Sequence, residues 1–403
     1  MTERIVVTGQ GAISSLGPDA RSNWDSMKAG FCGIGPLEIP DQRDLKVGLA
    51  AQIREMPDRE ISKRHRTTMS KFGMLAVMAA AEALEDAGLD GEDAFDPTRT
   101  GVVVGSGIFG ADAADRAYLD ILRDGKKRTE IFAIPKVMPS SPSVHISMVF
   151  GIKGPTYSLA SACSSANNAI ASALDLLRAG RVDVVLAGGS ETPVTFGILK
   201  TWESMRILAK TGCRPFSADR EGLLLGDGAG IFVMETESHA KARGATILAE
   251  IAGAGMSADA GDIVAPDADG AALAMQKALE DADLSLGDVA YVNAHGTGTA
   301  GNDKTETQAI RKVFGPHADG LAVSSTKSMH AHCLGASGAL ELLACINGIR
   351  DGIAPPTINL TEPDPECDLD YVPEKSRALN IDAALSNSFA FGGANAVIAV
   401  KKA

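Results

Sequence analysis

The chain reads as an α/β protein made by duplicating one unit, and three observations predict it. Strand-length apolar runs alternate with helical stripes along the 403 residues. The order strand, helix, strand, elbow, small-residue helix, strand, glycine turn, strand occurs twice, which one duplication explains more simply than two unrelated domains. Ala and Gly are plentiful and aromatics few, a composition suited to closely packed helices, and the length allows an extensive core. The expected halves are residues 1–245 and 246–403.

In the first half, strand 4–8 leads into Gly9-Gln10-Gly11, read as a tight turn; its spacing to Gly17 does not match a dinucleotide fingerprint. Residues 30–60 look irregular, and Lys63-Arg64-His65-Arg66 follows. A helix then buries Phe72, Leu75, Ala76, Ala79, Ala80, Ala83, Leu84 and Ala87 and stops at Gly88. Strand 101–104 opens onto Gly105-Ser106-Gly107-Ile108-Phe109-Gly110, where backbone must pass close to something. Residues 111–135 mix helix with charged loop, including Lys126-Lys127-Arg128. After Gly154-Pro155, the stretch Tyr157–Ala166 begins as a strand and turns into a helix with Ala166, Ala169, Ile170, Ala173, Leu174 and Leu177 on one stripe and Gly180 as its C-cap. Strand Val182–Ala187 closes on Gly188-Gly189, and an excursion over 190–225 carries Trp202, Arg206 and Arg214-Pro215-Phe216. A glycine turn then feeds the strand ending near Glu235.

The second half replays this with strand 247–251 and Gly253-Ala254-Gly255, a helix over 271–282, and strand Val289–Asn293 before His295-Gly296-Thr297-Gly298-Thr299. Strand Ala322–Ser325 precedes Lys327-Ser328-Met329-His330-Ala331-His332 and a small-residue helix over 335–349. Ser386–Asn395 runs into the closing strand Ala396–Val400.

Cys163 falls at the strand-to-helix elbow, where unpaired N–H groups and the helix dipole favour a thiolate. A buried structural cysteine is the alternative for any lone Cys. If the halves pack about a pseudo-twofold axis, the Cys163 elbow faces the His295 loop and the His332 elbow. One thiol and two imidazoles at loop tips suit acyl transfer from a thioester. His65, His145, His239 and His317 offer nothing comparable, and His330 is left open. The six cysteines show no CxxC pair or zinc-like spacing, which fits a reducing compartment. A formal charge of −13 argues against nucleic acid. With no run of about 18 apolar residues and no signal-peptide core, the expected location is the cytoplasm.

Four stretches together carry a resemblance: Ala162-Cys163-Ser164, Asn293–Thr299, Ser325-Thr326-Lys327-Ser328 with His332, and Asn387-Ser388-Phe389-Ala390-Phe391-Gly392-Gly393. Over essentially its whole length the chain resembles an elongating β-ketoacyl-acyl carrier protein synthase. The stretches 135–140, 328–333 and 362–368 are closest to the nodulation protein E branch. The resemblance implies a thiolase-like, duplicated five-layered α-β-α-β-α fold. It implies that Cys163 takes an acyl chain from its carrier and that malonyl carrier protein then loses CO2 and attacks the thioester. His295 and His332 would donate to the malonyl thioester oxygen, the N–H groups of Cys163 and Phe391 would form the oxyanion hole, and Lys327 would order the site. Ile108, Phe389 and Phe391 would border the acyl pocket and its gate, and Thr297 and Thr299 the pantetheine arm. Asn293, Glu341, Ser386 and Asn387 match a structural sodium or potassium site; a hydrogen-bonded network without metal is the alternative, and no cofactor is otherwise required.

Implied partners are acyl carrier protein bearing acyl and malonyl thioesters, and a second subunit, either a homodimer or a paralogous heterodimer. An acidic carrier would dock on Arg206, Lys126, Lys127, Arg128, Lys63 and Arg64, although Thr67 and Thr68 stand where relatives often have basic residues. Two departures concern backbone: Ala331 replaces the usual Gly before the second histidine, and Ala390 replaces the first Gly of the gating loop, where a Cβ restricts positive φ. A thiolase needs a second cysteine near the last glycine turn, where this chain has Asn395. A non-catalytic subunit would lack the nucleophile that Cys163 supplies.

Overall fold

The structure, a computed structural model, describes residues 3–403 apart from 41, 43, 55 and 92. Its ten main strands are β1 (Ile5–Ser14), β2 (Thr100–Gly105), β3 (Thr156–Leu159), β4 (Val184–Glu191), β5 (Gly228–Thr236), β6 (Ala249–Ala258), β7 (Val289–Asn293), β8 (Ala322–Ser324), β9 (Ala383–Phe389) and β10 (Ala394–Lys401). They hydrogen-bond in the order β8-β7-β9-β10-β6-β1-β5-β4-β2-β3. Outward from the β1/β6 junction, the two sides repeat one pattern. In each, two antiparallel pairings are followed by two parallel ones. The junction itself is thin, pairing only Val6 with Glu250 and Val7 with Ala249.

Five principal helices complete the layers: α1 (Lys71–Ala87), α2 (Ser165–Arg178), α3 (Ala268–Asp281), α4 (Ala300–Phe314) and α5 (Ser337–Asp351). Because side chains alternate across a strand, each half-sheet serves two cores. Val102, Val104, Val184, Leu186, Ile231 and Val233 face α1 on the outside. Val103, Val185 and Phe232 face inward, where α2 and α5 are sandwiched against Tyr291, Ala384 and Ile398 of the other half-sheet. The outer face of the second half packs on α3 and α4. The result is the five-layered α-β-α-β-α arrangement. From Ser337 to Ile349, α5 is buried on every side, as a helix between two sheets must be.

The glycine pairs read as turns from sequence lie inside strands. β1 continues through Gly9 and Gly11, because a Cβ there would stand 2.1 Å from the Ala83 carbonyl oxygen and 2.0 Å from that of Ala79 on α1. β6 likewise runs through Gly253 and Gly255, where a Cβ on the latter would stand 2.0 Å from Ala274 O. These glycines let a helix lie directly on a strand, and β4 similarly extends through Gly188-Gly189 to Glu191. The Phe72 helix and its left-handed Gly88 cap stand as expected. The segment after Gly110 is a helix over Ala111–Tyr118 with a π-turn at Leu119–Arg123.

Gly11→Ala drives its methyl into helix backbone and is expected to lower unfolding free energy by about 2–3 kcal/mol. Denaturant midpoints at unchanged m-value check this.

Candidate active site

Two elbows of one design face each other across the middle layer. A 3-10 turn at Ala162–Ser164 leads from β3 into α2, and another at Leu334–Ala336 leads into α5. Each opens on a residue held at positive φ, Ala162 at 50° and Leu334 at 44°. They approach so closely that a Cβ on Gly335 would lie 2.1 Å from the Gly107 nitrogen. Glu191 stitches this junction, its carboxylate accepting from the Ser106 hydroxyl at 3.0 Å and the Ile108 and Gly335 N–H groups at 3.2 Å, besides the Gly107 N–H. Burial pushes Glu191 up to about 7, against those four donors.

The thiol and both imidazoles meet here, their ligand-capable atoms all within 4.8 Å of one another. Cys163 Sγ lies 3.1 Å from His332 Nε2. The His295 and His332 rings stand edge to face with centroids 5.3 Å apart, and Phe389 packs 6.0 Å from the His295 ring. Lys327, fully buried, pairs with Glu341 and donates to His295 Nδ1 at 3.4 Å. An ammonium can only donate, so Nδ1 of His295 is the bare nitrogen and its Nε2 carries the proton. That tautomer makes His295 a hydrogen-bond donor and opposes metal ligation through Nε2. Burial and the nearby Lys327 charge hold both histidines well below the usual imidazole range, so both are neutral.

Two residues missing from the sequence-derived site hold these rings. Glu306 of α4 accepts from the His295 N–H at 2.8 Å, the Gly296 N–H at 2.7 Å and the Asn387 amide at 3.1 Å. Ser337, the first residue of α5, places its hydroxyl 2.9 Å from His332 Nδ1. Neither was legible, because each acts through a loop or ring fixed by tertiary packing. Glu191 was hidden for the same reason.

The expected thiolate at the helix start is not what the surroundings favour. Burial pushes the Cys163 thiol up to about 11, outweighing the Lys327 charge and the Phe391 N–H that hydrogen-bonds the sulfur. His330, left open from sequence, is structural, bonded to Thr326 Oγ1 at 3.0 Å and the Ala331 carbonyl at 2.8 Å. Ala331 sits at φ 57°, ψ −167°, a region that glycine tolerates and a Cβ strains. Ala390 is different: the turn that follows it places its positive φ on Gly392 and Gly393, so the Ala390 methyl meets no such penalty.

A cavity of about 350 Å³ opens onto Cys163, His295 and His332. Thr297 and Thr299 line it with their hydroxyls 2.9 Å apart, and Phe389 and Phe391 line it as well. The Phe391 ring stacks on Trp202 at 5.6 Å. Ile108 packs into the apolar cluster around Cys163. Arg206 stands outside the cavity, lining a neighbouring groove with Lys46 and Lys210.

Asn293, Ser386, Asn387 and Glu341 are fully buried, and Asn293 lies opposite Ser386 where β7 pairs with β9. Asn293 Oδ1, Ser386 Oγ, Asn387 Oδ1 and Glu341 Oε2 have no hydrogen-bond partner among the described residues. Four orphaned buried oxygens fit a hard cation, since leaving each unmet costs about 1–3 kcal/mol.

The chain matches the models for the β-ketoacyl synthase N-terminal domain over residues 2–240 and C-terminal domain over 248–361. It is 49% identical to nodulation protein E of Rhizobium sp. (strain N33), covering 100% of both chains. It is 39% identical to 3-oxoacyl-[acyl-carrier-protein] synthase 2 of Staphylococcus aureus (strain COL), over 99% of this chain and 98% of that one. Among solved structures, the ishigamide ketosynthase/chain length factor superposes with a TM-score of 0.95 at 32% identity, over all of both chains. The AntDE:AntF complex, a type II PKS acyl-carrier protein with its ketosynthase bound to the hexaketide, gives 0.92 at 30%, again over all of both chains.

Two measurements follow from the geometry. Iodoacetamide alkylation of Cys163 is expected to quicken about tenfold per pH unit from pH 7 to 10, the thiolate growing toward a pKa near 11; a plateau below pH 8 would contradict this. Ala331→Gly is expected to stabilise the fold by about 1 kcal/mol, the relieved strain exceeding the added chain entropy.

Proposed function

The chain belongs to the β-ketoacyl synthase family, and on that premise we propose how its own residues carry out decarboxylative condensation. The observation that carries the reading is one thiol 3.1 Å from a neutral imidazole, with a second imidazole fixed as a donor beside it. Cys163 sulfur attacks the carbonyl carbon of an acyl-carrier thioester; its proton passes through His332 to the departing carrier thiol. The N–H groups of Cys163 and Phe391 stabilise the developing oxyanion. Malonyl carrier then enters, and its thioester oxygen receives hydrogen bonds from His295 and His332. Loss of CO2 leaves an enolate on that oxygen, its carbon attacks the Cys163 thioester, and Cys163 leaves as thiolate and regains a proton. The product is a 3-oxoacyl carrier protein longer by the two carbons of the decarboxylated malonyl unit.

Thr297 and Thr299 would hold the pantetheine arm, and Ile108, Phe389 and Phe391 the acyl chain. The four orphaned oxygens would hold a monovalent cation as a structural brace. Three are neutral, and the Glu341 charge is already met by Lys327, so the shell suits a single positive charge better than a divalent one.

For a chain of net charge −13, an acidic carrier needs a local positive surface. Exposed Lys63, Arg64 and Arg66 on one short helix, with exposed Lys127 and Arg128, supply it. A second copy of the chain would cover the exposed apolar side chains Tyr118, Ile121, Leu122, Ile131 and Ile134. It would also cover the outermost strand β3, whose free edge invites pairing. The chain-length-factor pairing named for the ishigamide protein makes a paralogous subunit the other candidate. No helix among the described residues is long and apolar enough to cross a membrane, which accords with a cytoplasmic enzyme.

The test is CO2 release from labelled malonyl carrier protein with and without acyl carrier, followed by product mass. Release with acyl primer and a product two carbons longer than the primer are expected; no release under either condition sinks the reading. His295→Ala should slow decarboxylation about 10²–10³-fold by removing an oxyanion donor. It should leave Cys163 acylation, read by intact mass, far less affected.

A further inference from the structure

The Phe391 N–H hydrogen-bonds the Cys163 sulfur, yet little of the backbone that follows it is fixed by packing. The next two residues, Gly392 and Gly393, sit at φ 82° and 70° and carry no side chain. Their outward ties run to one loop: the Gly392 N–H donates to the Ile263 carbonyl at 2.8 Å, and the Asp259 N–H to the Gly393 carbonyl at 3.0 Å. That loop is exposed from residue 260 to 265, so no core stands behind those bonds. The Phe391 ring is held differently. It stacks on Trp202 with centroids 5.6 Å apart and planes 24° from parallel, its one aromatic contact among the described residues. Trp202 rides on the helix Phe196–Met205 and packs against the apolar cluster around Cys163. Asp115 accepts the Gly197 N–H at 2.7 Å near one end of that helix, and near the other Glu203 accepts the Val47 N–H at 2.8 Å.

We propose that Trp202 is a positioning residue: by stacking on the Phe391 ring it keeps the Phe391 N–H at the Cys163 sulfur, in place for the oxyanion of acyl transfer. This rests on the condensing reading above and deepens it. A donor stabilises a developing oxyanion only where it already stands at the right place, and an ångström of drift forfeits much of the effect. Ring and N–H belong to one residue, so a ring clamped to a packed helix fixes a peptide that two following glycines leave free to swing. The separation and tilt are those of an offset stack, which resists sliding apart beyond what burial alone gives. A mere wall for the acyl chain would leave a different signature, because its loss would matter more the longer the chain.

Trp202→Leu should slow acylation of Cys163 by acyl carrier, followed by intact mass, about 10–100-fold, less than outright loss of a donor costs. The loss should be the same for a two-carbon and a long acyl chain. Phe391→Leu keeps the N–H but removes the ring, and should slow acylation to a similar degree. Both variants break one interaction, so the double variant should be no more than about threefold slower than the worse single. Trp202→Phe, which keeps a ring to stack on, should recover acylation to within about threefold of the parent. Decarboxylation of malonyl carrier by Trp202→Leu enzyme alkylated at Cys163, read as CO2, should also stay within about threefold, since His295 and His332 serve that step. Losses that multiply in the double variant, a loss confined to long chains, equal loss in both half-reactions, or no loss at all overturns the proposal. A measurement on the unaltered protein guards against a variant that misfolds. With labelled phenylalanine rings, Phe391 should give NMR cross-peaks to the Trp202 indole; their absence overturns the proposal as well. Parent enzyme that neither acylates nor releases CO2 would instead sink the condensing reading, so the two failures are distinguishable.

Discussion

The site exists because two helix-start elbows from different halves of the chain are packed back to back. That approach allows no side chain at Gly107 or Gly335, and its leftover N–H groups are gathered by one buried carboxylate, Glu191. The β1/β6 pairing between half-sheets is too short to fix their relation by itself. Rigidity comes from α2 and α5, whose small residues let both sheets close on the middle layer. Cys163 sits on the lead into α2 and His332 on the lead into α5, so their separation is set by this core. Precision at the sulfur is thus inherited from packing several layers deep.

Within that frame, the buried Lys327 ammonium determines the electrostatics. A lone buried charge would be prohibitively costly, and Glu341 meets it. Burial, and after it what remains of the Lys327 field, holds both imidazoles well below their usual range and keeps them neutral. Neutral rings suit the chemistry better than cations. They can take a thiol proton, and they can donate to a thioester oxygen without neutralising the departing carboxylate by protonation. The same Glu341 keeps its other oxygen without a partner among the described residues, as do the side-chain oxygens of Asn293, Ser386 and Asn387.

The clustering of Cys163, both histidines and Lys327 was legible because each lies in a short motif with little freedom of spacing, and the duplication showed in the order of elements. Glycine pairs such as Gly9/Gly11 were read as turns because a local pattern cannot distinguish a bend from a place where a helix rests on a strand. Glu191, Glu306 and Ser337 stayed hidden for a related reason. A buried carboxylate holding loop N–H groups looks like any helix or strand carboxylate until the loop is folded over it. The thiolate expectation failed through burial, which sequence does not report: the helix-start N–H groups are present, but so is an apolar cluster around the sulfur.

Some departures from good local structure fall at the same place. Ala162, Ala331 and Leu334 carry positive φ, and the orphaned oxygens adjoin α5 and its neighbouring strands. Positive φ at non-glycine residues also occurs outside the site, at Asp93, Phe216, Ala260, Asn359, Val372 and Glu374 among others. Strain persists only where surrounding packing over-determines it, and the middle layer, buried on both faces, is where that packing is greatest. An enolate would be quenched by a proton from bulk water, so its partners must be held in a dry, shaped recess. Burial deep enough to exclude water also raises the thiol, depresses the imidazoles and leaves polar atoms needing partners. These features are consequences of one requirement, and the five-layered fold supplies enough core to bear them together.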